Sequence, residues 1–159
     1  MDAYAEPIMS FALRMVRDRE LAKDMRQDVF LKAFQGLDTF GGEGSLWSWL
    51  CGIAYFRCVD ELRRGRARAG KDLEFLDELF GQPDTALDAD RVAKRRALEH
   101  CLAQLRASLR EQLLLRFYLG LSHPEIGELI GNRPATVQVR ISRLLLRMRK
   151  CLHKKGFVR

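Results

Sequence analysis

The chain has 159 residues, 47% of them apolar and 31% charged, and its 28 Lys+Arg against 21 Asp+Glu leave a net charge of +7. That apolar share is globular rather than disordered, and the length suits one ordinary domain or two small ones. No uncharged apolar run approaches the ~18 residues a membrane span needs, and no basic segment followed by an apolar one opens the chain; the expected compartment is the cytoplasm, without membrane insertion.

The N-terminal half reads as helical, with period-3.6 patterns and no β-branched alternating runs. Ile8, Phe11, Ala12 and Met15 make one short apolar stripe. Met25, Val29 and Ala33 make another, joined by Phe30 and Phe34. Gly41, Gly42 and Gly44 then interrupt the pattern, and Ser45 suits the N-cap of a new helix over about Leu46 to Arg64. That helix is expected to turn Leu46, Trp49, Leu50, Ile53 and Phe56 to one side.

From Gly65 the texture changes. "GRARAGKDLEFLDELFGQPDTALDAD" is basic, then acidic, and reads as a flexible linker with a short amphipathic turn through Phe75, Leu76, Leu79 and Phe80. Helical pattern resumes near Arg91, where Leu98, Leu102, Leu105 and Leu109 keep a stripe. Charge divides at the same place. Residues 1–90 carry 12 Lys+Arg and 17 Asp+Glu, a net of −5, whereas residues 91–159 carry 16 and 4, a net of +12. A surface for a polyanion therefore belongs to the C-terminal part, and nucleic acid is the first candidate.

The next helix, containing "EQLLLRFYL", closes at Gly120. Ser122 suits an N-cap, Glu125 completes a capping box three residues on, and Pro124 fits a first helical turn. Ile126, Leu129 and Ile130 form the packed side, and Gly131 ends this short helix. A second helix starts near Pro134, which is helix-turn-helix spacing. At 100° per residue Val137, Ile141, Leu144 and Met148 share a sector of about 60°, the buried face. Arg140, Arg143 and Arg147 share another, with Thr136 among them. Arginine bonds guanine bidentately or clamps phosphate, so a cationic stripe separate from the core stripe fits DNA.

Cys51, Cys58, Cys101 and Cys151 form no Cys-x-x-Cys pair. In a reducing compartment they read as small buried thiols rather than a disulfide framework. His100-Cys101 and Cys151-Leu152-His153 supply zinc-ligand types, but no metal site or other cofactor is assigned.

These residues carry a family resemblance. "EQLLLRFYLGLSHPEIGELIGNRPATVQVRISRLLLRMRKCL" resembles region 4 of the extracytoplasmic-function (ECF) group of sigma-70 family factors, with its "GLS-x-x-EIA" and "TV-x-x-R-x-x-R-A" patterns. Independently, "LAKDMRQDVFLKAFQGLDTF" and "GSLWSWLCGIAYFRCVDELRR" resemble that group's region 2. The likeness covers about residues 4–64 and 95–152, in the expected order. It implies an all-α fold of two small helical domains, region 2 over 1–65 and region 4 over 92–159, joined by a flexible linker over 66–91.

The implied function is that of an RNA polymerase sigma factor, not an enzyme. Region 2 would dock on the clamp helices of core RNA polymerase and capture the melted −10 element; region 4 would sit on the flap and read the −35 element of promoter DNA. An anti-sigma factor wedged between the regions is a candidate partner. Residue by residue, the resemblance assigns Asp24, Gln27, Asp28, Phe30 and Leu31 to polymerase docking, and Phe56, Asp60, Arg63 and Arg64 to the −10 strand. It assigns Gln138, Val139 and Arg143 to base reading at −35, and Arg140, Arg147 and the helix start at Thr136 to phosphate.

Departures from the pattern touch specificity. Gln138 and Val139 stand where relatives carry Arg and Ser, Tyr55-Phe56 replaces an Arg-Asn pair, and Gly127 replaces alanine. The alternative is a stand-alone helix-turn-helix regulator, which would have no use for the region 2 pattern. A nuclease or recombinase is disfavoured, since residues 1–90 hold no histidine and no phosphate loop.

Overall fold

The structure is a computed structural model that describes residues 2–42, 44–65 and 89–157. The expected amphipathic turn at Phe75–Phe80, and the linker from 66 to 88, lie outside the described residues. Within them the chain forms seven α-helices and one short 3-10 turn, with no strand. The helices are α1 (Asp2–Val16), α2 (Arg19–Gln35), α3 (Leu46–Gly65), α4 (Ala89–Ala103), α5 (Ala107–Phe117), α6 (His123–Ile130) and α7 (Pro134–Lys154). The all-α expectation holds.

Helices α1 to α3 form the first bundle. The α1 stripe of Ile8, Phe11, Ala12 and Met15 is buried as its spacing predicts. Covering a side chain of the size of Phe11 contributes about 1.5–3 kcal/mol. Asp18 caps α2 by accepting a hydrogen bond from the Leu21 backbone N–H at 2.9 Å. Two expectations need correction. Phe34 does not join the α2 core stripe but is 76% exposed. On α3 the core face is Leu50, Cys51, Ala54, Tyr55 and Cys58, while Leu46 and Phe56 stand exposed. Small residues at Cys51, Ala54 and Cys58 let α3 lie close to its neighbours, a packing choice that counting only large apolar side chains overlooks.

Helices α4 to α7 form the second bundle. The leucine stripe expected from Leu98 to Leu109 is split between two helices, because the chain turns at 104–106, and Leu98 is exposed. Cys101 on α4 and Cys151 on α7 are joined by a disulfide, their Cα atoms 6.0 Å apart. This overturns the reading of all four cysteines as free thiols. Spacing in the sequence held no sign that α4 and α7 cross at these two residues. Cys51 and Cys58 do fit that reading: burial pushes each thiol up to about 12, so neither is a thiolate near neutrality. Of the zinc-type residues, Cys101 and Cys151 thus meet as sulfurs bonded to each other, and no group of three metal-ligating side chains occurs among the described residues.

Candidate nucleic-acid interface

The helix-turn-helix is built by local rules. Ser122 accepts a hydrogen bond from the Glu125 backbone N–H while the Glu125 carboxylate accepts one from the Ser122 N–H, so both halves of the capping box are present. Gly131 ends α6 in the left-handed region at φ 68°, which favours glycine. Helix α7 then starts at Pro134 without a side-chain cap, so no side chain occupies the N–H groups of Ala135 and Thr136 in its first turn. It runs for 21 residues, about 31 Å, and buries Val137, Ile141, Leu144 and Met148.

The basic stripe lies beside the core stripe, roughly 60–120° round the helix. Arg140, Arg143 and Arg147 are all exposed, as are Gln138 and Val139, and Thr136 is half-buried. The three candidate base readers do not share one face. Val139 lies about 40° round the helix from Arg143, whereas Gln138 lies about 140° from it. Val139 and Arg143 thus make one reading edge, and Gln138 reaches a different part of any groove that α7 enters.

Two surfaces gather on the first bundle. Asp24, Gln27 and Leu31 are exposed on α2, Phe30 packs against the core, and Asp28 is held at 3.0 Å by Arg57. Burial works against the Arg57 charge, but hydrogen bonds to Asp28 and Glu61 outweigh it and raise its pKa. Leu31, Phe34 and Leu37 expose an apolar row at 56, 76 and 50%. Phe34 was read as core because an aromatic at helical spacing suggests burial, and Leu37 carried no signal of its own. Beside that row a depression of about 310 Å³ is lined by Asp28, Leu31, Arg57, Asp60 and Arg64, among others. Candidate docking and −10 residues therefore share one edge between α2 and α3. Phe56 is 54% exposed, and Arg63 and Arg64 close the end of α3.

The bundles are docked on each other. The Trp47 indole N–H donates to the Leu119 carbonyl at 2.8 Å, and Tyr4 stacks on Trp47. Arg14 of α1 pairs with Glu99 of α4 at 3.3 Å, and its guanidinium lies 4.1 Å from the centre of the Tyr118 ring. The Ser48 hydroxyl donates to Glu125, joining α3 to the capping box. Gly52 admits Leu129 of α6, whose nearest methyl would stand 3.3 Å from a β-carbon there. Between the bundles runs a groove of about 560 Å³, with Ser48, Phe56, Glu125 and Glu128 on its walls. None of these cross-seam partners is legible as a pair in the sequence.

Family models for sigma-70 region 2 and sigma-70 region 4 match residues 1–68 and 95–148. The RNA polymerase sigma factor YlaC of Bacillus subtilis is 30% identical over 155 residues, covering 95% of this chain and 88% of the relative. The chain belongs to the sigma-70 family, in its ECF group. The RNA polymerase sigma-H factor of Pseudomonas aeruginosa is 32% identical over 149 residues, covering 88% of this chain and 77% of that protein. The ECF RNA polymerase sigma factor SigK of Mycolicibacterium vanbaalenii is 28% identical over 143 residues, covering 87% and 72%. Two solved structures share the fold. One is the Bartonella quintana sigma factor RpoE with the anti-sigma factor NepR, with a TM-score of 0.70, 22% identity and coverage of 95% of this chain and 92% of that one. The other is CnrH with the cytosolic domain of CnrY, with a TM-score of 0.67, 23% identity and coverage of 96% and 84%.

Within this sigma factor the departures from the family pattern take physical form. Tyr55 is buried and meets Phe56 edge-on, so of that pair only Phe56 reaches the surface. Gly127 of the helix-turn-helix lies under the turn, where a β-carbon would stand 2.5 Å from the Asn132 carbonyl oxygen. Its glycine is a packing requirement, not only a helix cost.

Proposed function

We propose that this sigma factor binds core RNA polymerase in the cytoplasm, directs it to promoters and performs no chemistry of its own. Region 2 spans 1–65, a linker spans 66–91, and region 4 spans 92–159. The observation that carries the reading is the arginine stripe of α7, exposed and separate from the core stripe, in a chain that also holds a complete region 2 bundle. Val139 and Arg143 read the −35 duplex, with Arg140, Arg147 and the open start of α7 on phosphates. Val139 offers an apolar contact to a thymine methyl, and Gln138 suits adenine. Phe56, Asp60, Arg63 and Arg64 face the −10 single strand, Phe56 as a stacking platform. Asp24, Gln27 and Asp28, with the apolar row of Leu31, Phe34 and Leu37, dock on the clamp helices, and Phe30 supports them from beneath. Region 4 docks on the flap. The solved neighbours were captured with anti-sigma proteins, which makes such a protein the expected negative partner here.

The test is reconstitution with bacterial core polymerase on a genomic promoter library. The chain is expected to bind core and start transcripts at a shared two-part motif. Arg143→Ala is expected to weaken −35-dependent initiation by about 1–3 kcal/mol and to relax preference at one base pair. Sequence-specific duplex binding without core would favour a stand-alone regulator instead.

A further inference from the structure

Helix α7 carries the arginine stripe, and its two ends are held differently. From Val137 to Met148 its inner face is buried, but beyond Met148 none of its side chains is fully buried. Over residues 149–154 only Cys151 and Leu152 are half-covered against the core. This end is fastened covalently, by the bond from Cys151 to Cys101 of α4. Arg147 stands four residues before Cys151, so the bridge fixes the helix one turn from the last arginine of the stripe.

Helix α4 is anchored on its own account. Glu99 and Ala103 flank Cys101 at two residues on either side, and both reach region 2. Glu99 pairs with Arg14 at 3.3 Å, and the Ala103 carbonyl accepts from Arg17 at 3.4 Å. Opening the bond therefore leaves α4 in place and releases the end of α7. The two sulfurs also differ in access. Cys101 is 2% exposed, whereas Cys151 is half-buried and meets the exposed Gln104 side chain, whose oxygen lies 3.9 Å from Sγ. Cys51 and Cys58 are buried and unbridged, so thiol exchange is confined to one bond, reached from the Cys151 side. In a reducing compartment such as the cytoplasm proposed above, disulfides are usually transient and serve as sensors or catalysts.

We propose that the Cys101–Cys151 bond is a reversible redox switch on −35 recognition, bridged in the tight-reading form and opened by a small-molecule thiol. The inference rests on the reading of α7 as the −35 helix. A thiolate of the reductant attacks Cys151 Sγ, the S–S bond breaks, and Cys101 leaves with the electron pair and takes up a proton. A second reductant thiolate attacks the reductant sulfur of the mixed disulfide, and Cys151 leaves and is protonated in turn. Two protein thiols and one reductant disulfide result, and the reverse exchange restores the bond. Once it is open, the Arg147 end of α7 must be ordered on DNA at the expense of binding.

The full-length chain is equilibrated in glutathione buffers from fully oxidised to fully reduced, quenched with acid and unfolded, and its thiols are counted with a maleimide mass tag. Two tags are expected at the oxidised end, on Cys51 and Cys58, and four at the reduced end. Two tags throughout would make the bond a fixed staple and overturn the proposal, as would four throughout. Bridged and reduced chains are then desalted and assayed with core polymerase on one promoter and on the same promoter with its −35 element replaced. Reduction is expected to lower initiation on the intact promoter about fivefold, to leave the remaining initiation on the other unchanged, and to be reversed by glutathione disulfide. Cys151→Ser is expected to match the reduced chain in either buffer. Equal initiation by bridged and reduced wild type would overturn the switch, whether or not the variant folds. Arg143→Ala then tells which reading failed: if it lowers initiation on the intact promoter, the switch alone is wrong, and if it does not, α7 is not the −35 helix.

Discussion

At Gly127 the sequence pattern and the packing pull in opposite directions. Alanine gains about 1 kcal/mol over glycine inside a helix. Here its β-carbon would stand 2.5 Å from the Asn132 carbonyl oxygen, so the turn of the helix-turn-helix must move. Overpacking of this kind costs about 1–3 kcal/mol. Gly127→Ala is therefore expected to lower Tm by about 2–4 °C and to weaken −35 recognition, because the moved turn re-aims α7. A thermal melt checks the sign; a rise in Tm would show that the turn yields freely. The buried side chains of α7 were legible beforehand, since a period of 3.6 sorts them without knowledge of what they touch. The constraint on Gly127 was not, because the opposing atom belongs to the backbone of the turn.

Individual helices are secured by two devices with different visibility. The capping box of α6 is written in four consecutive residues and was legible. Its extension was not: the Glu125 carboxylate also accepts from Ser48 of α3. Hydrogen bonds from the Ser122 hydroxyl, then Ser48, then the Ser122 backbone hold its pKa below the ordinary 4.5, against a smaller opposing effect of burial. A depressed folded-state pKa contributes stability above the unfolded value, and that stability is lost as pH falls through the folded value. Melts between about pH 6 and pH 3 should show wild type losing its advantage over Glu125→Gln as the carboxylate protonates. A difference that stays constant across that range would place the effect in packing instead. The second device is the α4–α7 disulfide, which closes a loop 50 residues apart in sequence. On a chain-entropy estimate such a crosslink stabilises by about 4 kcal/mol. Treatment with a dithiol reductant, or Cys151→Ser, is expected to lower Tm substantially; an unchanged melt would mean that the bridge adds nothing to region 4.

For the molecule as a whole the consequential feature is the seam. If regions 2 and 4 rest docked as observed, the free chain should scatter as a compact particle of radius of gyration about 15 Å. The buried Arg14–Glu99 pair spans that seam, with side chains 9% and 6% exposed. Breaking such a pair by removing one partner costs about 3–5 kcal/mol, because the remaining charge stays buried. Glu99→Gln is expected to enlarge the particle by separating the regions, while each bundle keeps its helical circular dichroism. An unchanged scattering radius would show that Trp47, Tyr4 and Leu119 hold the seam without the ion pair.

The helical class, the helix-turn-helix, the two-part plan and the exposed arginines followed from the residues alone. Each depends on near neighbours in the chain: a stripe every three or four residues, a cap and its partner three apart, a charge imbalance within one half. The apolar face of α3, the exposed row at Leu31, Phe34 and Leu37, the Cys101–Cys151 bridge and every contact across the seam arose only on folding. They join or separate residues through space at sequence distances up to 86. No local period records such a distance. Burial of Arg14, Glu99 and Arg110 is the sharpest case: in sequence they are ordinary surface charges, and only docking of one bundle on the other takes water away from them.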